Sequence, residues 1–136
     1  MHAFSHNPAF LHLTKMVVEL SQRFYFEAAH TLRRKVDTDS SLRIHGHTYH
    51  AEVMLRGEPD PVSGMLVDLA LLRAALASVR DALDHRFLDE VDGLGPATLE
   101  NLCQFIWRAL APQLPQLARV TVERQVSGDK CALCAA

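Results

Sequence analysis

The sequence predicts an α+β fold in which an antiparallel sheet is covered by two helices on one face. Three segments carry apolar residues at alternate positions, which is the period of a half-buried strand. Two segments between them repeat apolar residues at spacings of three and four, which is the period of an amphipathic helix. The order is strand, strand, helix, helix, strand, and a further short strand is expected near Cys131. Such segregated elements are typical of an α+β arrangement.

The two N-terminal strands each place a row of side chains on one face of the pleat. The first row, between Met16 and His30, consists of Phe24, Phe26, Ala28 and His30. The second strand runs from about Ile44 to Arg56, and its row consists of His45, His47, Tyr49, Ala51, Val53 and Leu55. A polar loop joins these strands, and a turn cluster rich in Pro and Gly follows the second at residues 57–64.

Capping residues delimit the two helices. Asp68 is a suitable N-cap for the first, whose apolar stripe comprises Leu69, Leu72, Leu76, Val79 and Leu83. Thr98 caps the second, whose stripe comprises Leu102, Ile106 and Leu110. Pro112 and Pro115 end that helix. The alternation returns in residues 118–124, where Val120 and Val122 face one side and Glu123 the other.

The composition is that of a globular protein. We interpret residues 16–136 as one domain and residues 1–15 as an arm that precedes it. The 136 residues are 49% hydrophobic and 22% charged, and the net charge is −2. No basic face favours nucleic acid, and no apolar run approaches the ~20 residues that cross a bilayer. Three cysteines without a signal peptide argue against a disulfide framework. We therefore expect a soluble, cytoplasmic protein.

His45-Gly46-His47 is the sharpest local motif. Residues i and i+2 of a strand project to the same face, ~6.6 Å apart along the chain, so both imidazoles can reach one ion. His30 supplies a third imidazole from the end of the preceding strand. Three histidines with an open fourth position are typical of catalytic zinc. The alternative is that hydrogen bonds satisfy these imidazoles without a metal.

Two further motifs carry reactive groups. Asp84 and His85 follow the first helix, where a carboxylate beside an imidazole could orient a general acid or base. Adjacent helical residues do not face one another, so this pair requires a non-helical turn. The alternative is a helix C-terminus that favours a cationic side chain. The C-x-x-C motif of Cys131 and Cys134 lacks a second ligand pair and is interpreted as structural or incidental thiols.

Six segments, in order, resemble the 6-pyruvoyltetrahydropterin synthase and 6-carboxytetrahydropterin synthase family. Together they cover about residues 16–124, and they read FEAAH, IHGHTY, GMLVD, LDHRFL, PATLENL and VTVE. Each is weak alone, but six in the family's order are highly specific. The resemblance implies the tunnelling fold, or T-fold, in which trimers join their sheets into a barrel and two trimers stack as a homohexamer. An exposed sheet edge favours such pairing.

The resemblance also implies roles for individual residues. Zn²⁺ would be held by His30, His45 and His47, and the acid–base pair would be Asp84 and His85. The pterin would be anchored by Glu123 through charge-assisted hydrogen bonds, in a pocket also lined by Thr98, Leu99 and Glu100. The basic run of residues 33–35 either meets the triphosphate or is a solvated loop.

The implied reaction is a carbon–oxygen lyase step on 7,8-dihydroneopterin triphosphate, with loss of triphosphate. The product would be a 6-carboxy- or 6-pyruvoyl-tetrahydropterin, the former feeding queuosine synthesis. Ser41 stands at the position of the family's proton-abstracting cysteine, and a serine hydroxyl is a far weaker acid than a thiol. Asp37, Asp39 and Cys131 are candidate substitutes. The alternatives are therefore side-chain cleavage to 6-hydroxymethyldihydropterin, or a zinc-containing pterin-binding protein without turnover.

Overall fold

The computed structural model describes residues 15–32 and 42–136, and in them the predicted α+β fold is confirmed. A four-stranded antiparallel sheet has its strands in sequence order, and both helices follow the second strand. The strands are β1 (Val18–His30), β2 (His45–Gly57), β3 (Leu117–Arg124) and β4 (Asp129–Cys134). The helices are α1 (Leu69–Leu83) and α2 (Leu99–Leu110), with a 3₁₀ turn at Leu88–Glu90 between them.

Strand pairing is longest between β1 and β2. All 13 residues of each strand are paired, from Val18 opposite Gly57 to His30 opposite His45. Strand β3 then pairs with β2, where Glu123 lies opposite His50, and a register shift interrupts the ladder between Met54 and Leu55. The expected short strand near Cys131 is β4, which completes the sheet against β3.

The core lies between the helices and one face of the sheet, which we call the inner face. The predicted strand rows point inward, and the ring of Phe26 stacks on that of Tyr49 with centroids 4.9 Å apart. The helices contribute the apolar stripes that the sequence predicts, including Leu72, Leu76, Leu83, Leu102, Ile106 and Leu110. Leu69, the first member of the predicted α1 stripe, is an exception because it is exposed at the start of the helix. Burial of these side chains is the main favourable contribution to folding.

The helix boundaries agree with the capping residues. The Asp68 carboxylate accepts from the amide of Ala70, and the Thr98 hydroxyl accepts from that of Asn101. Helix α1 ends at Leu83, and Asp84 is already extended. Neither described helix has the length and apolar run that a membrane span requires. Residues 1–14 lie outside the described part, so the division into an arm and a domain stays a prediction.

Candidate metal centre and active site

Three histidines meet on the inner face where the β1–β2 ladder ends. His30 and His45 are directly paired, and His47 is two residues further along β2. Ring centroids are 4.5 Å apart for His30 and His45, and 4.9 Å for each of the other two pairs. One ligand atom from each residue lies within 4.8 Å of the others. Tetrahedral zinc with Zn–N bonds of about 2.0–2.1 Å needs nitrogens roughly 3.3 Å apart, which small ring rotations can provide.

His30 is the most enclosed member of the cluster. His30 is only 1% exposed to solvent, and neither of its ring nitrogens has a hydrogen-bond partner among the described residues. Burial, followed by the proximity of His45 and His47, lowers the pKa of His30 to about 4. The imidazole is therefore neutral at physiological pH, which is the state that binds metal. A buried imidazole without partners is costly, and a metal ion would satisfy one of its nitrogens.

His45 is oriented by the backbone. Its Nδ1 lies 2.7 Å from the carbonyl oxygen of Arg43, a contact in which the ring nitrogen donates. This tautomer leaves Nε2 with a lone pair for a metal, and such a backbone partner commonly fixes the orientation of a ligand histidine. The three side chains therefore fit a single metal ion.

An arginine that the sequence analysis did not single out lies beside the cluster. Arg124 shares its parity with Val120 and Val122 on β3, so strand alternation could have indicated that it points inward. Its Nη1 lies 3.5 Å from Nε2 of His47, and its Nη2 lies 2.9 Å from Oδ2 of Asp129. The side chain is only 14% exposed, so solvent and salt screen its charge poorly. This charge lies next to the metal candidates because Nη1 contacts His47.

Asp84 and His85 form the turn that the sequence analysis requires. His85 adopts a positive φ of 57°, and this lets its Nδ1 reach Oδ2 of Asp84 at 2.9 Å. The pair is tied to β1 because Asp84 Oδ1 accepts from the Glu27 amide at 2.9 Å and the His85 amide donates to the Glu27 carbonyl. The Glu27 hydrogen bond is the main cause that lowers the pKa of Asp84, and His85 and Arg80 act in the same direction. Asp84 is therefore an anion that can orient the His85 ring.

His85 shares a cavity with one member of the histidine cluster. The cavity has a volume of about 550 Å³, and both His47 and His85 line it. Its other walls come from the facing ends of β1 and β2 and from the turn after α1, namely Glu27, Ala28, Ala29, Gly46, Thr48, Arg86 and Phe87. The His85 side chain is 76% exposed, so its ring is accessible from this cavity.

Thr98, Leu99 and Glu100 line a second cavity, which has a volume of about 540 Å³. His30 and Arg124 also line it, so this cavity adjoins the histidine cluster from another side. Its remaining walls are Leu32, Ala97, Asp129, Lys130 and Cys131. The start of α2 therefore lies close to the metal candidates.

Glu123 does not share that cavity within one chain. It lies opposite His50 on the outer face of the sheet and lines a third cavity of about 260 Å³. Alternation along β3 is the reason, since Glu123 and Arg124 point to opposite faces. Within one chain, Glu123 and the Thr98–Glu100 segment therefore line separate cavities, and the expectation that they share a pocket stays a prediction. His50 also lines the third cavity, and it lies on the face of the sheet opposite His45 and His47.

The remaining candidates divide into two groups. Cys131 lines the cavity beside His30, whereas Cys134 is exposed and Cys103 is buried in α2. The Cys103 thiol donates to the carbonyl of Cys131 at 3.4 Å. Ser41, the acidic residues Asp37 and Asp39, and the basic run of residues 33–35 lie outside the described residues, so their expected roles stay predictions.

The fold and the histidine cluster define a class of small α+β proteins with a metal-binding potential at the end of a long hairpin. Known proteins identify the family within that class. A family model described as 6-pyruvoyl tetrahydropterin synthase matches residues 19–132, and the chain belongs to this family.

Individual relatives agree with that assignment. The 6-pyruvoyl tetrahydrobiopterin synthase of Homo sapiens is 33% identical over 111 residues, which are 71% of this chain and 77% of the relative. The structure of Caenorhabditis elegans 6-pyruvoyl tetrahydropterin synthase superposes with a TM-score of 0.76 at 29% identity, over 89% of this chain and 97% of that one. The Plasmodium vivax enzyme, at 20% identity and a TM-score of 0.69, supports the fold alone; it covers 87% of this chain and 97% of that one.

Proposed function

We propose that this chain is a zinc-dependent tetrahydropterin synthase that acts on 7,8-dihydroneopterin triphosphate with release of triphosphate. The product is either 6-pyruvoyl-tetrahydropterin, or 6-carboxy-tetrahydropterin formed with uptake of water and release of the two outer side-chain carbons as acetaldehyde. The observation that carries the proposal is the cluster of the buried His30 with the partly buried His45 and His47. Family membership supports the reaction class, and the unpartnered nitrogens of His30 support a resident metal ion.

The metal would be held by the three imidazoles. Bound zinc would polarise the side-chain hydroxyls of the pterin and acidify the neighbouring protons. The histidines contribute a neutral ligand set, which leaves the full charge of the ion available to the substrate. The burial of His30 keeps its imidazole neutral at physiological pH, which is the form that binds a metal.

His85 and Asp84 are proposed to move a proton. The His85 ring is exposed in a cavity that His47 and the outward-facing Glu27 and Thr48 also line, and it is proposed to exchange a proton with substrate bound there. Asp84 accepts from Nδ1 of His85, which leaves Nε2 to take or return a proton at the substrate. An anionic Asp84 also stabilises the imidazolium that forms.

The pterin ring is proposed to bind at Glu123. Its carboxylate lies on the outer face, where it can accept the paired N–H groups of a guanidine-like edge. Thr98, Leu99 and Glu100 lie on the other side of the sheet in the same chain. A pocket that contains both sets therefore requires a second copy of the chain, which agrees with the expected trimer or hexamer. Analytical ultracentrifugation measures this assembly directly.

The test of function is product analysis after incubation of the zinc-loaded protein with 7,8-dihydroneopterin triphosphate. A carboxy- or pyruvoyl-pterin with an equal amount of triphosphate supports the proposal. A 6-hydroxymethyldihydropterin product supports side-chain cleavage instead. Unchanged substrate that binds tightly supports a pterin-binding protein without turnover.

A further inference from the structure

The buried polar atoms that lack partners gather at one place in the described residues. They are both ring nitrogens of His30, the hydroxyl of Tyr49, and Nε of Arg124. A metal ion on the histidines would satisfy one nitrogen of His30. It would leave Nε of Arg124 and the hydroxyl of Tyr49 without partners, because a guanidinium cannot coordinate a cation. Nε of Arg124 and the hydroxyl of Tyr49 are both hydrogen-bond donors, and an oxygen atom of a ligand can accept from them.

Arg124 is held firmly in its position. Asp129 accepts from Nη2 at 2.9 Å and is itself bound by the Ser127 hydroxyl at 2.9 Å. Within the inward row of β3, Arg124 follows Val120 and Val122, both fully buried. One nitrogen is therefore used by Asp129, and Nη1 is directed toward the histidine cluster. A guanidinium fixed in this way loses little side-chain entropy when it binds a ligand.

The charges around the second cavity favour an anion near Arg124. A zinc dication on the histidines would lie close to the guanidinium, and two such charges repel unless an anion lies between them. Lys130 lines the cavity and adds positive charge, whereas Glu100 and Asp129 add negative charge. Asp129 is already engaged with Arg124 and is half exposed. The charges of Arg124 and Lys130 are balanced by those of Glu100 and Asp129. A zinc dication on the histidines would therefore leave an excess of positive charge around the cavity.

We propose that Arg124 is a specificity-determining residue that binds a phosphate oxygen of the substrate beside the histidine cluster. Tyr49 on β2, whose hydroxyl also lacks a partner, interacts electrostatically with Arg124. The inference rests on the proposed function, since it assigns the triphosphate end of that substrate to the cavity lined by His30 and Arg124. It places phosphate recognition on β3, in addition to any contribution from the basic residues 33–35.

The experiment compares two binding probes that differ only in phosphate, neopterin and neopterin triphosphate. Their affinities for zinc-loaded protein are measured from the pterin fluorescence. The wild type is expected to prefer the triphosphate, and Arg124→Gln is expected to reduce that preference by about 10- to 100-fold, the loss of a charge-assisted contact. The affinity for neopterin and the zinc content should be unchanged. Arg119→Gln removes an exposed arginine from the same strand and is the matched control.

Several results would overturn the inference. One is an undiminished triphosphate preference in Arg124→Gln while neopterin still binds. Another is a selective loss of affinity for pterin-6-carboxylate, which would assign the arginine to a carboxylate. Failure of the wild type to bind either neopterin probe would instead contradict the proposed function. If Arg124→Gln does not fold, the same measurement is made on Arg124→Lys. A preference for neopterin triphosphate over neopterin that is reduced at least about threefold supports the inference, and a preference equal to that of the wild type overturns it.

Discussion

His30 lies directly opposite His45 in the last pair of the β1–β2 ladder, and their ring centroids are 4.5 Å apart. The two histidines are separated by 15 positions in sequence, and the strand ladder brings their rings together. His47 lies two residues further along β2 on the same face. The relative positions of the three metal candidates are therefore determined by strand pairing. The site is thus built on the longest hairpin of the protein.

Removal of two ligands should abolish metal binding. We expect the wild type to hold close to one zinc ion per chain and the variant with both His45→Ala and His47→Ala to hold almost none. Mass spectrometry of dialysed protein measures the content. His50→Ala is the matched control because His50 points to the outer face of the sheet. Stoichiometric zinc in the double variant would refute the assignment.

The stability of the metal-free protein should fall as the pH is lowered from 6.5 to about 4. The pKa of His30 is about 4 in the folded protein and near 6.5 when unfolded, so between these values the unfolded chain binds more protons. The contribution is fully present above pH 6.5, and its loss costs roughly 3 kcal/mol.

Urea unfolding at several pH values measures this effect. The variant His30→Gln should lose most of the slope between pH 6.5 and 4, whereas His50→Gln should retain it. An equal slope in wild type and His30→Gln would show that the pH dependence has another origin. Chelator-treated protein must be used, because bound zinc adds its own pH dependence.

Replacement of His85 should impair turnover without loss of metal. His85→Gln removes the proposed proton carrier, and kcat should fall by about 10²- to 10⁴-fold. The zinc content should stay at the wild-type level because His85 is outside the three-histidine cluster. Activity within about a factor of two of the wild type would exclude His85 as the general acid or base.

The three cysteines should react with iodoacetamide in the order of their exposure. Cys134 is exposed and should react first, whereas burial raises the pKa of Cys103 to about 12 and should make it the slowest. Bound neopterin triphosphate should protect Cys131, which lines the cavity beside Arg124, and leave Cys134 unaffected. Peptide mass spectrometry gives each rate. Rapid labelling of Cys103 in folded protein would contradict its burial.

A thiol at position 41 should increase synthase activity. Ser41→Cys restores the proton acceptor that the family resemblance places there, and a thiol ionises far more readily than a hydroxyl. Steady-state rates with 7,8-dihydroneopterin triphosphate measure the gain, with Ser40→Cys as the neighbouring control. The absence of a gain would mean that another residue already serves as the base.

Much of the fold could be predicted because local patterns and burial agree. The rows of apolar residues in β1 and β2, the caps Asp68 and Thr98, and the end of α2 before Pro112 all follow from short-range periodicity and backbone chemistry. The histidine cluster was predictable for the same reason, since His45 and His47 lie two residues apart on one strand. Strand alternation likewise separates His50 from them.

The sequence by itself therefore determined the elements, their buried faces and the three metal candidates. Only the tertiary structure decided that Glu123 and the Thr98–Glu100 segment lie in separate cavities of one chain, and that Arg124 adjoins His47. The physical reason is that side-chain direction on one strand is local, whereas the neighbours across strands and helices depend on register and packing. Those long-range pairings produce no periodic pattern of residues in the sequence.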